Sequence, residues 1–369
     1  MVPETDVFVI GGGPAGLAVG IAARQKGLRA IVADHALPPI DKACGEGLMP
    51  DSITALARLG VRVDTAPGYP FRGIRFLGAG VSVDADFPSG GGLGMRRRVL
   101  HNLLVERAAE AGVTLLWGTR GVEMSAEGIA VDGQRVNARF LVGADGQNSR
   151  LRSAAALGDV RRESRRFGFR RHYRTKPWSD YMELYWGDRF QIYVTPIAPG
   201  EVCVALISRN PYLRLDEALE HFPELNSRIQ SVEPSSTEMG SLSVSRSLKA
   251  VQRGSIALSG DASGSVDAIT GEGLCLSFRQ ALALADAMGR NNLEEYQERH
   301  REIVKRPAMM ASLMLMIENR PGLRRRVLHG LARQPSLFAQ LVAFHVGSSS
   351  FLDFRLADVL RAGRELLTA

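Results

Sequence analysis

One short stretch constrains this chain more than any other. Asp6–Ile10 (DVFVI) is an apolar run with β-branched members, the pattern of a buried parallel strand. It runs directly into Gly11-Gly12-Gly13-Pro14-Ala15-Gly16. A segment rich in Ala and Leu follows and stops at Gly27, a usual place for a helix to end. Arg29–Ala33 reads as a second strand, and it ends on Asp34. This order of strand, glycine turn, helix, strand and acid is a βαβ unit, with the acid 18 residues after the last glycine. A lone GxGxxG says little, but one bracketed in this way specifies a dinucleotide-binding turn.

Each glycine has a physical task. Gly11 permits the tight bend, and Gly13 bares the backbone so that a pyrophosphate can approach the positive end of the following helix. Gly16 lets that helix lie close on the strand. Pro14 and Ala15 belong to the same cofactor-binding turn. Asp34 would accept hydrogen bonds from a ribose 2′-OH and repel a 2′-phosphate, which favours FAD or NAD over NADP.

Two more Gly/Asp turns follow apolar strands. A strand over 136–142 enters Gly143-Ala144-Asp145-Gly146-Gln147-Asn148-Ser149, and Ser255–Leu258 enters Ser259-Gly260-Asp261-Ala262-Ser263-Gly264. Thr270-Gly271-Glu272-Gly273-Leu274 then opens a helix reaching about residue 289. One βαβ unit cannot satisfy an extended dinucleotide such as FAD, and these turns would supply the remaining contacts. Asp261 is a candidate acceptor for ribityl hydroxyls. Gly271, Gly273 and Leu274 would set a positive helix end against the flavin pyrimidine edge.

The expected architecture is α/β. A Rossmann-like FAD-binding domain takes residues 1–70, 95–160 and 250–292. An inserted antiparallel β-sheet domain takes 71–94 and 161–249 and faces substrate, and 293–369 form a C-terminal helical region with breaks at Pro307, Pro321, Pro335 and Gly347. In the strand YMELYWG, Met182, Leu184 and Trp186 share one face and Tyr181, Glu183 and Tyr185 the other.

Charge raises a competing reading. The chain carries a net +7, and two segments hold all of it: 161–174 at +6 and 299–333 at +7, with −6 spread over the rest. The first mixes seven Arg with aromatics, as single-strand nucleic-acid binders do. No RNA module surrounds it, so it is read as a surface for NAD(P)H phosphate or an anionic substrate. His101 is read as a helix-surface residue. Cys44, Cys203 and Cys275 form no CxxC pair, and no basic–apolar leader pattern opens the chain. The expectation is a cytoplasmic protein with a small-molecule partner, no metal, no nucleic acid and at most peripheral membrane contact.

GGGPAG with Asp34, GADGQNS and GDASG with TGEGL resemble, in order and spacing, the superfamily of flavoprotein monooxygenases and geranylgeranyl reductases, which share the para-hydroxybenzoate hydroxylase fold. The blocks span residues 8–275. The resemblance implies non-covalent FAD. It implies that Arg97 contacts the pyrophosphate side, that Val122 lies near adenine, and that Asp145 and Gly146 belong to the FAD and nicotinamide pattern. It also implies that Asp261, Gly271, Gly273 and Leu274 meet the ribityl chain and ring. Cys44-Gly45-Glu46-Gly47-Leu48 is similar to the reductase branch, where a Cys lies near the flavin. Ile192-Tyr193-Val194-Thr195-Pro196 is similar to the hydroxylase branch.

On these residues alone the favoured activity is an NAD(P)H-dependent monooxygenase of secondary metabolism. It would act on an aromatic or polyketide-derived molecule with O2 through a flavin hydroperoxide. The alternative is a reductase of C=C bonds in a prenyl or lipid chain, with Cys44 as its catalytic candidate.

Overall fold

The computed structural model describes residues 4–63, 67–125, 128–350 and 353. Strand Thr5–Ile10 lies inside a six-stranded sheet, with Ala30–Asp34 parallel on one side and Ala138–Gly143 parallel on the other. Thr114–Trp117 extends the sheet at one end and Ile256–Leu258 at the other, both again parallel. Antiparallel Gln252–Arg253 closes that second edge. Central parallel strands are buried on both faces and so read as apolar runs. Val7, Phe8, Val9, Ile31 and Val32 are all essentially unexposed.

This topology positions the site. Adjacent parallel strands end at the same edge, so the turns after Ile10, Gly143 and Leu258 all emerge together. Helix Pro14–Gln25 covers one face, between helices Arg97–Glu110 and Gly273–Gly289. Gly20 permits that approach, since a Cβ there would stand 2.8 Å from Val32 Cγ2.

The second sheet has seven strands, in the order Met239–Leu248, Val160–Tyr173, Glu201–Ser208, Phe190–Ala198, Tyr181–Trp186, Gly73–Gly78, Val81–Asp86. All neighbours are antiparallel except Tyr181–Trp186 with Gly73–Gly78, so the expected antiparallel sheet is mixed. Parallel neighbours require a long crossover. Here the chain leaves this sheet after Asp86, contributes to the first sheet, and returns at Val160. Tyr185, Ile192 and Val194 pack on one side against helices Leu215–Glu220 and Pro223–Ile229. Leu184, Trp186 and Tyr193 face the other way, toward Met310, Met314 and Ile317.

Those last residues lie on helix Leu293–Glu318, which continues through Pro307 where the sequence predicts a break. A proline inside a helix costs about 3 kcal/mol. Buried packing on both sides of it, Tyr296 and His300 before and Met310 and Met314 after, holds the helix together. Helices Pro321–Arg333 and Pro335–His345 begin at their prolines as expected. Among the described residues no helix is long and apolar enough to cross a membrane.

Candidate active site

The three turns line one cavity of about 870 Å³. Gly11, with φ at +112°, makes the first bend, and a Cβ there would meet Ala144 O at 2.4 Å, so the first and second turns touch. Gly260 packs the third turn onto Ala15, where an added Cβ would stand 2.6 Å from Ala15 Cβ. Arg152 ties the second turn to the third. Its Nη1 donates to Ala262 O at 3.1 Å and its Nη2 to Gln147 O at 2.6 Å.

Every predicted cofactor residue lines this cavity except Gly16 and Val122. Gly16 lies beneath it, where its lack of a side chain lets Gly11 O approach. Val122 begins strand Val122–Ser125, and its side chain is outside the described residues. Asp34 accepts Gly12 N–H at 2.6 Å on Oδ2 and Ala36 N–H at 2.8 Å on Oδ1, where His35 Nδ1 also stands 3.2 Å away, so Oδ2 keeps a free lone pair. Asp261 pairs with Lys42 Nζ at 2.9 Å.

These residues fit a dinucleotide. A Cβ at Gly13, Gly146 or Gly273 would meet nothing within 4 Å, so bare backbone faces open space at all three turns. Among the described residues, Arg97 Nε and Asp145 Oδ1 are buried polar atoms of the cavity wall without a hydrogen-bond partner. Unpaired buried polar groups are costly, and a bound cofactor would satisfy them.

The Cys44–Leu48 loop forms another part of the wall. Cys44 is half-buried, and its Sγ accepts Glu46 N–H at 3.4 Å. Glu46 adopts φ +59° and is 2% exposed. Its Oε1 accepts from Arg97 N–H at 3.0 Å and Arg170 Nη1 at 2.7 Å, and its Oε2 lies 2.7 Å from His172 Nε2. The carboxylate thus sits at the N-terminus of helix Arg97–Glu110, where the dipole favours it. Glu46, His172 and Cys203 place one potential ligand atom each within 4.8 Å, but the Arg170 guanidinium already supplies the cation there. Burial raises the Cys203 thiol well above its ordinary value.

The expectation of a basic surface over 161–174 is corrected. Residues 161–173 lie within strand Val160–Tyr173, and residues 166, 170 and 172 point inward. Arg166, 1% exposed, bonds Glu318 Oε1 at 2.8 Å and Oε2 at 2.6 Å, with Nε 2.6 Å from Asp267 Oδ1. Arg170 bonds Glu46 and Asp41, and Arg171 bonds Asp216 and Glu238. A strand alternates faces every residue, so paired arginines send one inward and one outward. His101 is corrected too. It is fully buried, with Nε2 2.9 Å from Gly12 O, beneath the first turn.

Sequence reasoning passed over Glu46 and Glu272 as site residues, although each stands between two glycines where a buried acid is unexpected. Glu272 also lines the cavity, at the N-cap of helix Gly273–Gly289. Of the two faces of Tyr181–Trp186, the one bearing Met182 meets the cavity, while Leu184 and Trp186 are covered by the C-terminal helices. Tyr193, Ala205 and Ile207 complete an apolar wall.

His300 supports the third turn from below. Its Nε2 lies 3.0 Å from Ser263 Oγ and 3.2 Å from Gln280 Nε2. Burial pushes its pKa down to about 4, against 6.5 when free. The unfolded chain therefore binds more protons between those values, and stability is lost as pH falls from 6.5 toward 4. Thermal melts should lose up to about 3 kcal/mol through this group across that window. His300→Gln should flatten that part of the curve. An identical pH dependence in the variant would remove His300 as its source.

A family profile described as "FAD binding domain" matches residues 4–295. The chain belongs to this FAD binding domain family. Over 319 residues it is 26% identical to menaquinone reductase of Mycobacterium tuberculosis, covering 79% of this chain and 78% of that one. It is 30% identical over 159 residues to rifampicin monooxygenase of Streptomyces venezuelae, covering 40% of this chain and 33% of that one. A geranylgeranyl bacteriochlorophyll reductase-like protein of Thermoplasma acidophilum shares the fold, with a TM-score of 0.72 at 19% identity over 97% of this chain and 95% of that one. The FAD binding domain thus accounts for the three turns, and the protein is an FAD-dependent oxidoreductase.

Proposed function

We propose that this chain is an FAD-dependent reductase that saturates a carbon–carbon double bond of a lipophilic, isoprenoid-type molecule. The observation that carries this reading is the half-buried Cys44 thiol. It lines the same cavity as the three nucleotide turns and the apolar Met182, Ala205 and Ile207. The order of preference drawn from sequence alone is reversed because the relative matched over most of both chains is a reductase, whereas the monooxygenase relative matches two fifths of this chain.

When bound, the flavin supplies two-electron hydride chemistry. The chain's share is binding, orientation and proton supply. Gly13, Gly146 and Gly273 offer bare backbone to the cofactor, and Asp34 Oδ2 offers its free lone pair. The N-terminus of helix Gly273–Gly289 and Arg97 place positive potential along the cavity, which favours a reduced, anionic ring. The apolar wall orients a greasy substrate and excludes water. Thr195 Oγ1 donates to Gly45 O at 2.7 Å and so fixes the Cys44 loop against the central sheet. In this reading NAD(P)H binds transiently as the reductant, since no second dinucleotide turn is present in the sequence. The substrate is drawn from a membrane surface by a cytoplasmic protein. Nucleic acid has no place in it, because Arg166, Arg170 and Arg171 are engaged internally.

Product mass tests the reading with a prenylated quinone or a geranylgeranyl lipid under anaerobic conditions. Gain of two hydrogens is the expected result. Cys44→Ala should keep its flavin and lose at least about tenfold in turnover, because the thiol is part of the wall that positions the substrate and a small misplacement can cost about a hundredfold. Full turnover in that variant would discard the thiol's role. The second reading, a monooxygenase of an aromatic secondary metabolite, is favoured by Tyr193, which reaches the cavity from strand Phe190–Ala198. It requires O2-dependent NAD(P)H oxidation and a product heavier by one oxygen.

A further inference from the structure

Glu272 and His345 form a second buried pair at the cavity, and no step derived above uses it. Glu272 is 5% exposed and lies in the wall between Gly271 and Gly273, at a helix N-terminus that its side chain does not cap. His345 ends helix Pro335–His345, more than seventy residues later, and is 7% exposed. Glu272 Oε2 and His345 Nδ1 face each other at 3.6 Å, just beyond hydrogen-bond distance. Among the described residues each of these two atoms is buried with no hydrogen-bond partner.

The tautomer gives this geometry its meaning. The imidazole donates a hydrogen bond to the Thr270 backbone. Nδ1 has no partner, so that donor is Nε2, and in a neutral ring Nδ1 then carries a lone pair. A carboxylate oxygen facing that lone pair would be two acceptors in contact. One proton, on Glu272 Oε2, turns the contact into a donor facing an acceptor.

We propose that Glu272 carries a proton in the resting protein, held against His345, and is the proton-donating group of this wall of the cavity. This deepens the reductase reading and rests on it for the step that consumes the proton. Saturating a C=C bond adds one hydride and one proton. The bound reduced flavin is the hydride source. Glu272 gives its O–H proton to the other carbon and is left as a carboxylate, to be reprotonated from water before the next turnover. Other charged and titratable groups around it are Arg306 on helix Leu293–Glu318, Asp51 on helix Pro50–Arg58, and Arg279 and Cys275 on its own helix. Arg306 Nη2 stands 4.0 Å from Glu272 Oε1 and 3.2 Å from Asp51, so a cation is present to receive the carboxylate once the proton has left. Burial acts in the same direction, pushing Glu272 up to about 8 and His345 down to about 4.

Infrared spectra of the purified FAD-loaded protein with carbon-13-labelled glutamate provide the test. A C=O stretch from one protonated glutamic acid is expected at pH 7, fading with a midpoint near 8. It should be absent in Glu272→Gln. Nitrogen-15 NMR of wild-type His345 should show a neutral ring at pH 7, which keeps the test valid if the variant folds poorly. A band missing at pH 7, a band that survives in Glu272→Gln, or an imidazolium at His345 would each overturn the proposal. These signals need no substrate, so they stand apart from the reductase reading, which fails if no product gains two hydrogens. Where that activity is found, Glu272→Gln should lower kcat at least about tenfold with KM little changed. An unchanged kcat would overturn the donor role.

Discussion

Gly16→Ala is expected to release the flavin. The added methyl would stand 1.8 Å from Gly11 O and 3.3 Å from Val9 Cγ1. The first obstacle is backbone in the tight first turn, so it cannot rotate aside as a side chain would. Overpacking typically costs about 1–3 kcal/mol, and a rigid backbone obstacle pushes toward or beyond the upper end. Helix Pro14–Gln25 must lift from strand Thr5–Ile10, which moves the bare backbone of Gly13 and misaligns the positive helix end. Gel-filtered protein should lose its yellow colour, with FAD affinity down by about a hundredfold, the loss of roughly 2.7 kcal/mol. Gly13→Ala separates the two causes. Its Cβ would meet nothing within 4 Å in the protein itself. The flavin-free melting temperature should therefore hold while FAD affinity falls, because the methyl enters the cofactor's space. Wild-type flavin content in both variants would dispose of the first turn as a cofactor site.

The second large effect is expected from Glu318→Ala. Glu318 is fully buried and accepts from both Arg166 terminal nitrogens, from Gln191 Nε2 at 3.1 Å and from Arg209 Nε at 3.4 Å. Removing it leaves Arg166 buried with Asp267 alone. Breaking a buried pair from one side costs about 3–5 kcal/mol, because the remaining charge is stranded. The melting temperature should fall on the order of 10 °C. Asp267 also accepts Ile269 N–H at 3.1 Å, just before Gly271, so some flavin should be lost as well. Replacing all three charges, Arg166→Met with Glu318→Leu and Asp267→Asn, should recover much of the stability, since no buried charge is then left without its partner. If the triple variant is as unstable as the single one, packing rather than stranded charge is responsible.

The reach of the sequence follows from the separation between interacting residues. The first βαβ unit is local. Gly11, Gly13, Gly16 and Asp34 lie within 24 residues, and the backbone geometry of a tight turn demands glycine there. The second and third turns were legible for the same reason. That all three open on one cavity follows from parallel pairing, since adjacent parallel strands end at one edge. The mixed sheet was less legible. Its single parallel pair joins Gly73–Gly78 to Tyr181–Trp186, segments a hundred residues apart with strands of the first sheet between them.

The first turn, with its acid and its two companion turns, was therefore determined by the sequence itself, because spacing within a few residues dictates a bend, a helix start and a bare backbone. The fate of the charges was decided only by tertiary structure. Composition shows seven arginines in 161–174 and suggests a surface. Strand alternation sends Arg166 and Arg170 to one face and Arg165 and Arg171 to the other but does not say which face is covered. Arg170 meets Glu46 across 124 residues and Arg166 meets Glu318 across 152. An ion pair is made by two groups brought together from opposite ends of a chain, and nothing near either partner in the sequence records it.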